Sequence, residues 1–455
     1  MEDMSDHKPS QIRDAERILS QLLDVCAQNG ATAADVSLGH SQDTRVEVQK
    51  GQLDTLERSE SIGVSLRCFV GQRQAHVSGS DVSEAALADL ADRCVAMAKV
   101  VPEDQYCGLA DASELATELP ELDLDGDPEP DSSVLEADAL AAEEAALAVS
   151  GVDHVSGSGS SWGRSERWVA ASNGFYATRR SGYSSLGLAA IARSGEAMER
   201  DYDSQVVRRI EDRRSAIEIG RTAGERAIAR LNPKKVKTQT AAVIYDRRVS
   251  SSLLGPLMSA MSGPAVARGI SFLKDRLGDQ LFRPDVSIID DPFRHRGLGN
   301  RAHDGEGRPV DRVALIDQGY LKNWMLNGSS AKQLGLKPNG YASGGFGSPP
   351  GVGGSNIYMQ AGVKTPEQLM AAAGHGLLVS DMFGPSINPN TGDYSVGVSG
   401  FWFADGEIQY PVSEVTIAGD LISIYERLIP ASDLEFRGTT DAPSILVEDM
   451  SIAGE

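Results

Sequence analysis

Twice within its first 235 residues the chain runs through one order of elements: a helix, strands parted by short glycine turns, and a closing helix. In the first pass Ile12, Ala15, Ile18, Leu19, Leu22, Leu23 and Cys26 fall at helical spacing from about Ser10 to Asn29, and Gly30 stops the pattern. The alternating runs "VSLGH", "TRVEVQKGQLDTLERSES" and "GVSLRCFVGQRQAHVSGS" follow, with turns at Lys50-Gly51 and Val70-Gly71. Asp81 and Glu84 then read as a capping box for a helix through Leu87, Leu90, Cys94 and Met97. The second pass opens with a helix over 134–149 and continues through strands with turns at Asn173-Gly174 and Ser194-Gly195. It closes with a helix near 216–231. The passes share their order more than their residues. A duplicated strand-helix unit is expected, forming one N-terminal α/β domain that ends near "NPKK", 232–235.

From Val100 to Gly163 there is no Lys or Arg. The acidic, proline-marked part of that stretch reads as a linker or surface excursion over 100–133. Its "DLDGDPE" suggests calcium, but an EF-hand loop counted from Asp123 would need Gly and Glu where Pro128 and Val134 stand. Beyond 236 the texture changes. A small-residue helical stretch, "SSSLLGPLMSAMSGPAVARG", is followed by short strands and glycine-rich loops. The expected fold class is α+β: residues 1–99 and 134–235 form the two halves of the N-terminal unit, and 236–455 a β-rich domain, barrel-like or sandwich-like. At 455 residues, two or three domains are the prior.

With 43 basic and 65 acidic residues the net charge is -22, which repels phosphate backbones and anionic lipid, so direct nucleic-acid or membrane binding is not expected. No segment reaches the ~18 uncharged apolar residues of a membrane span. The polar start "MEDMSDHKPS" lacks the order of a secretory signal, so a cytoplasmic chain is expected. Cys26, Cys68, Cys94 and Cys107 form no C-x-x-C pair and read as reduced, mostly buried thiols.

Candidate chemistry is sparse. His295 and His303, beside Asp304 and Glu306, have neither helical nor zinc-ribbon spacing and read as a polar loop with a turn at Asp304-Gly305. Ser399 in "GVSGF" lacks the last glycine of a nucleophile elbow, where Phe401 stands, and no histidine follows it. His375 after a helix reads as a C-terminal cap. The run 340–356 holds seven glycines but no following lysine, so it suits close backbone approach rather than a phosphate cradle. "GFWFADGEIQYPV" reads as a hairpin turning at Asp405-Gly406, with Phe401 and Phe403 on one side, Trp402 on the other, and Pro411 marking an edge or exit.

The strings "HDGEGRPVDRVALIDQGYLKNWMLNGSSAKQLG" and "GHGLLVSDMFGPSINPNTGDYSVGVSGFWFADGEIQYPVSEVTIAG", with the closing "APSILVEDMSIAG", resemble the TldD/PmbA family, and within it the PmbA (TldE) branch. The resemblance covers nearly the whole chain. It implies a cytoplasmic peptidase of two related subunits that degrades unstructured peptides, matures a gyrase-targeting microcin and turns over an antitoxin. It also implies that the TldD subunit carries zinc on an H-E-x-x-x-H helix with a later cysteine. The matching segment here, 249–261, has no His, Glu, Asp or Cys, and no cysteine follows Cys107. No cofactor is therefore expected on this chain, and zinc is expected in a TldD-like partner. Alone, the chain is expected to be non-catalytic and to form a homodimer. The expected groove for peptide or partner takes in Asp304, Glu306, Gly344, Gly345, Asn388, Asp393 and Ser399. The alternatives are a non-proteolytic regulator that binds gyrase or an antitoxin, and a lone hydrolase with an unrecognised site.

Overall fold

The computed structural model describes residues 14–455, so positions 10–13 of the first expected helix lie outside them. In the first pass, α1 (Ala15–Gln28) leads into β1 (Ala33–Gln49), β2 (Gln52–Val70), β3 (Arg73–Gly79) and α2 (Glu84–Val100). The second repeats the order with α3 (Ser132–Leu147), β4 (Val152–Ala171), β5 (Tyr176–Ser194), β6 (Ala197–Val207) and α4 (Ala216–Ala229). All six strands join one antiparallel sheet in the order β3-β2-β1-β4-β5-β6. The first strand of each pass meets the other at the centre, from Asp35↔Ala171 to Val48↔Ser158.

Strand periodicity of two gives this sheet two faces with different jobs. Ala34, Val36 and Leu38 pack under α1 and α2 with Leu19, Leu22, Leu90 and Cys94. Val46 and Val48 meet Leu135 and Ala139 of α3, and Leu186, Leu188 and Ala190 meet Ile219 and Ala223 of α4. The alternate residues Asp35 and Ser37 face the C-terminal domain: Asp35 accepts the Gly347 N–H and Ser37 accepts from Arg167, which also donates to the Gly345 carbonyl. The capping box does not form. Ser83, not Asp81, is the N-cap of α2 and makes no side-chain cap bond, while Asp81 spends its carboxylate on the Ser83 N–H two residues on. Cys26, Cys68 and Cys94 are buried free thiols, and Cys107 is half-buried.

The segment between the passes contains one 3-10 turn, Ala112–Glu114, and is tied down along its length. The Ala116 N–H reaches the Gly307 carbonyl, Leu124 accepts from Gly182, and Glu129 pairs with Arg58.

In the C-terminal domain, β7 (Gln239–Tyr245) runs parallel to the strand His375–Ile387. The strands Asp393–Ala404 and Glu407–Asp420 continue the sheet, and the final strand Ile445–Ala453 pairs with both β7 and Glu407–Asp420. A closed five-stranded barrel results, which leaves none of these strands as a free edge over its paired length. Val243, Tyr245, Leu377, Val379, Val396, Val398, Ile417 and Val447 belong to the main core, while Ile244, Phe403 and Leu446 pack outside under the helix Pro366–Ala373 with Leu369 and Met370. The Asp405-Gly406 turn has φ of 54° and 79°, as a type I′ hairpin needs, and Trp402 and Phe403 go to opposite cores. A smaller sheet, with Ile288–Asp290 and Ile357–Met359 at its centre, lies beside the barrel.

The two domains meet through a buried ion network. Asp203 of β6 takes Arg214 at 2.7 Å, Arg226 at 3.0 Å and, from the C-terminal domain, Arg437 at 3.2 Å. Asp201 takes Arg248 at 2.6 Å.

Candidate functional site

The small-residue stretch that drew attention in the sequence becomes a 3-10 turn, Ser250–Leu253, followed by α5 (Leu254–Met261). Pro256 falls in its first turn, where the missing N–H costs nothing. Leu254, Leu257, Ala260 and Met261 anchor α5 to the main core. Gly255, Pro256, Met258 and Ser259 line a cleft of about 930 Å³. A Cβ added at Gly255 would meet nothing within 4 Å, so that position opens on free space.

Opposite α5 the cleft is walled by Val352, Gly353, Gly354 and Ser355, by Ile357, and by Ile387 and Pro389 at the tip of a barrel hairpin. Arg268 is the one charged residue among the lining residues, which include no His, Cys, Asp or Glu. Hydroxyls, a thioether and aliphatic groups can shape a bound chain, but they offer zinc no set of three strong donors and water no general base. The donor set does not fit the metal. Among the described residues no group of three His, Cys, Asp or Glu side chains is placed to hold a metal ion.

A second cleft, of about 760 Å³, lies between the N-terminal sheet and the glycine-rich loop, and Gly354 lines both. Asp304 and Gly344 line it, whereas Gly345 packs against the Gly305 backbone and Glu306 lines a separate, smaller cleft with Asn327 and Ser330. Asp304, 1% exposed, accepts the backbone N–H groups of Glu306 and Arg308 at 2.9 Å and of Ala342 at 3.3 Å, pinning one loop to the other. Glu306 accepts the Gly328 N–H at 2.8 Å and pairs with Arg308. The loop is packed, not floppy: Phe346 stacks on Phe175 at 5.2 Å, with the His303 ring edge-on to both. Burial holds the His303 imidazole below its ordinary pKa, and its Nδ1 lies 2.7 Å from the Asp304 carbonyl. His295 is exposed.

The other expected groove residues lie elsewhere. Asn388 and Asp393 brace the hairpin tip that carries Pro389: Asn388 donates its N–H to the Asp393 carbonyl and accepts from Gly392. Ser399 is buried at the domain seam, where it accepts from Arg230 at 2.8 Å. His375 starts a barrel strand, and Gly374 is the helix cap before it.

The sequence reading passed over Arg167 and Arg179, which line the second cleft. A signal was available. Each stands six positions from Asn173, so they face each other once the hairpin closes through the three-residue loop Ser172–Gly174, whereas a two-residue Asn173-Gly174 turn would have set Arg167 against Arg180.

Burial, then the Glu306 charge, push the Asp304 carboxyl up to about 6, against the pull of the Arg308 and Glu306 N–H groups. A raised folded value means a stability contribution fully present below about pH 4 and lost as pH rises through about 6, roughly 2–3 kcal/mol in all. The substitution Asp304→Asn should therefore show a Tm gap from the unsubstituted protein that narrows from pH 4 to pH 6.5. A gap that stays flat across that range would contradict the assignment.

Family profiles described as PmbA/TldA metallopeptidase domain 1, central domain and C-terminal domain match residues 34–98, 125–231 and 238–454. An Escherichia coli protein described as metalloprotease PmbA is 30% identical over 453 residues, 98% of each chain. A Haemophilus influenzae protein described as a metalloprotease PmbA homolog is 30% identical over 450 residues, 98% of this chain and 97% of that one. A crystal structure from Bacteroides thetaiotaomicron, described as a candidate modulator of DNA gyrase, superposes with TM-score 0.88 at 26% identity over 98% of this chain and all of that one. TldE from Thermococcus kodakarensis shares the fold, with TM-score 0.84 and 19% identity over 96% of this chain and all of that one.

Proposed function

Because the chain belongs to the PmbA/TldD metallopeptidase family, we propose that it is the PmbA/TldE-type subunit of a cytoplasmic two-subunit protease for unstructured peptides, with the zinc held by a TldD-like partner. The observation that carries this reading is the lining of the α5 cleft. It is large enough for several residues of extended chain, bordered by glycine backbone and apolar side chains, and without a group that could hold zinc or take a proton from water. Such a cleft positions a substrate and excludes solvent around it, while the bond-breaking step belongs to another chain. Recognition through glycine backbone, with few side-chain pockets, suits a substrate that is extended and varied in sequence.

The test uses this chain alone, a TldD-like subunit alone, and the mixture, each with an unfolded peptide read by mass spectrometry and each assayed for bound zinc. Cleavage is expected only in the mixture, with zinc travelling with the partner. Cleavage by this chain alone, together with stoichiometric zinc, rejects the proposal.

A further inference from the structure

Arg167 of β4 and Arg179 of β5 are direct cross-strand partners, on the sheet face turned away from the helices. Like charges in that register repel. Arg301 adds a third guanidinium from the C-terminal domain, all three line the 760 Å³ cleft, and a fourth lining arginine, Arg180, is paired with Glu166 at 3.0 Å. Two of the three are engaged. Arg167 Nε donates to Ser37 at 2.8 Å and its Nη2 to the Gly345 carbonyl at 3.1 Å. Arg301 Nη2 donates to the Gly340 and Gly353 carbonyls at 3.1 and 3.0 Å. Among the described residues the Arg179 guanidinium has no hydrogen bond and no ion pair. Arg179 itself is solvent-exposed at the cleft, where desolvation by the surrounding walls, then the charges of Arg167 and Arg301, pull its guanidinium below its ordinary value.

The lining carboxylates do not relieve this. Asp304 is spent on three backbone N–H groups, and Glu121 makes no ion pair among the described residues. A chain with 65 acidic residues thus keeps an unpartnered guanidinium in a concave site, beside two more of its kind. We propose that this cleft binds a carboxylate of a peptide, a free C-terminus or an acidic side chain, with Arg179 as its ligand and Arg167 and Arg301 supplying the surrounding positive field. The planar fork of Arg179 matches a carboxylate bidentately. A phosphate dianion fits less well, since Asp304 and Glu121 share the lining and the neutral His303 adds no cation. Leu119, Leu122, Val169 and Phe346 supply apolar wall for the residues next to the carboxylate. Gly354 borders both clefts, so a peptide held at Arg179 continues past Gly353 and Gly354 toward α5.

This inference deepens the proposed peptide-handling role and rests on it only in taking the ligand to be a peptide. Its test needs no protease partner, so its failure and the failure of that role read separately. The full chain is titrated by fluorescence anisotropy against N-terminally labelled peptides built on one sequence free of acidic side chains. One has a free C-terminus, one an amidated C-terminus, and one is amidated but carries a single Glu. The substitution Arg179→Gln should weaken the carboxylate peptides at least tenfold, the loss expected of a charge-assisted pair, and leave the amidated acid-free peptide unchanged. Arg276→Gln, which alters a surface pair by the same charge, should change none of them. The free C-terminus and the Glu peptide, compared with each other, identify the source of the carboxylate. R179Q should melt no lower than the unsubstituted chain, since it removes repulsion and no bond. Equal affinities for all three peptides, an unchanged R179Q, tighter binding of inorganic phosphate than of either carboxylate peptide, or a Tm drop of several degrees in R179Q would each overturn the proposal.

Discussion

The substitution Asp203→Ala should lower the unfolding free energy by about 3–5 kcal/mol, the cost of leaving buried charges without their counter-ion. Asp203 is 2% exposed, and Arg214, Arg226 and Arg437 all point at its carboxylate. Removing it leaves three guanidiniums, each only about a quarter exposed, facing one another without their shared counter-ion. Burial raises the Asp203 carboxyl, but the Arg214 hydrogen bond and the charges of Arg226, Arg214 and Arg437 outweigh burial and hold it below the usual carboxylate range. A depressed folded value gives stability that is present above about pH 4 and lost as pH falls through the folded value. The loss in D203A should therefore be full at pH 7 and shrink in acid. Arg437 comes from the other domain, so a double-mutant cycle of D203A with Arg437→Ala reads the coupling across the seam. Denaturant curves of the four proteins are the measurement, and a D203A loss under 1 kcal/mol at pH 7 would refute the claim that this network holds the domains together.

Two neighbouring glycines should behave very differently. Gly345 has φ of 71°, and a Cβ there would stand 1.8 Å from the Gly305 carbonyl oxygen. That oxygen is backbone in a loop pinned by Asp304, so it cannot swing aside as a side-chain tip would. Gly345→Ala combines a left-handed backbone, about 1–2 kcal/mol, with forced repacking, about 1–3 kcal/mol, for a total of about 2–5 kcal/mol. Gly344 has φ of 75° with nothing within 4 Å of its Cβ position, so Gly344→Ala should cost only the backbone part, about 1–2 kcal/mol. Chemical denaturation of both variants decides it. Equal losses would mean that the close approach of the two loops is not what the structure describes.

The elements of the N-terminal domain were legible in the sequence because each is a local pattern. Helical spacing from Ala15 to Cys26, two-residue glycine turns and strand alternation need no information from distant residues. The duplication was legible as an order of elements, yet not as one sheet, because β1 joins β4 only when segments more than a hundred residues apart meet. The capping box misread local chemistry: Asp81 had a nearer N–H to satisfy at Ser83. Of the expected groove, Asp304, Glu306, Gly344 and Gly345 meet because two loops from different parts of the chain are hydrogen-bonded together. Ser399 goes to the seam because Arg230, far off in sequence, reaches it.

The chemical silence of α5 is a property of composition, and the amino-acid order alone establishes it: no packing can turn Ser250 to Met261 into a zinc ligand set. What lies opposite α5, and that Arg179 sits unpaired beside Arg167 and Arg301, only the tertiary structure decides. Side-chain type is written locally, whereas which charges meet in one cavity depends on strand register and on loops joined across the whole chain.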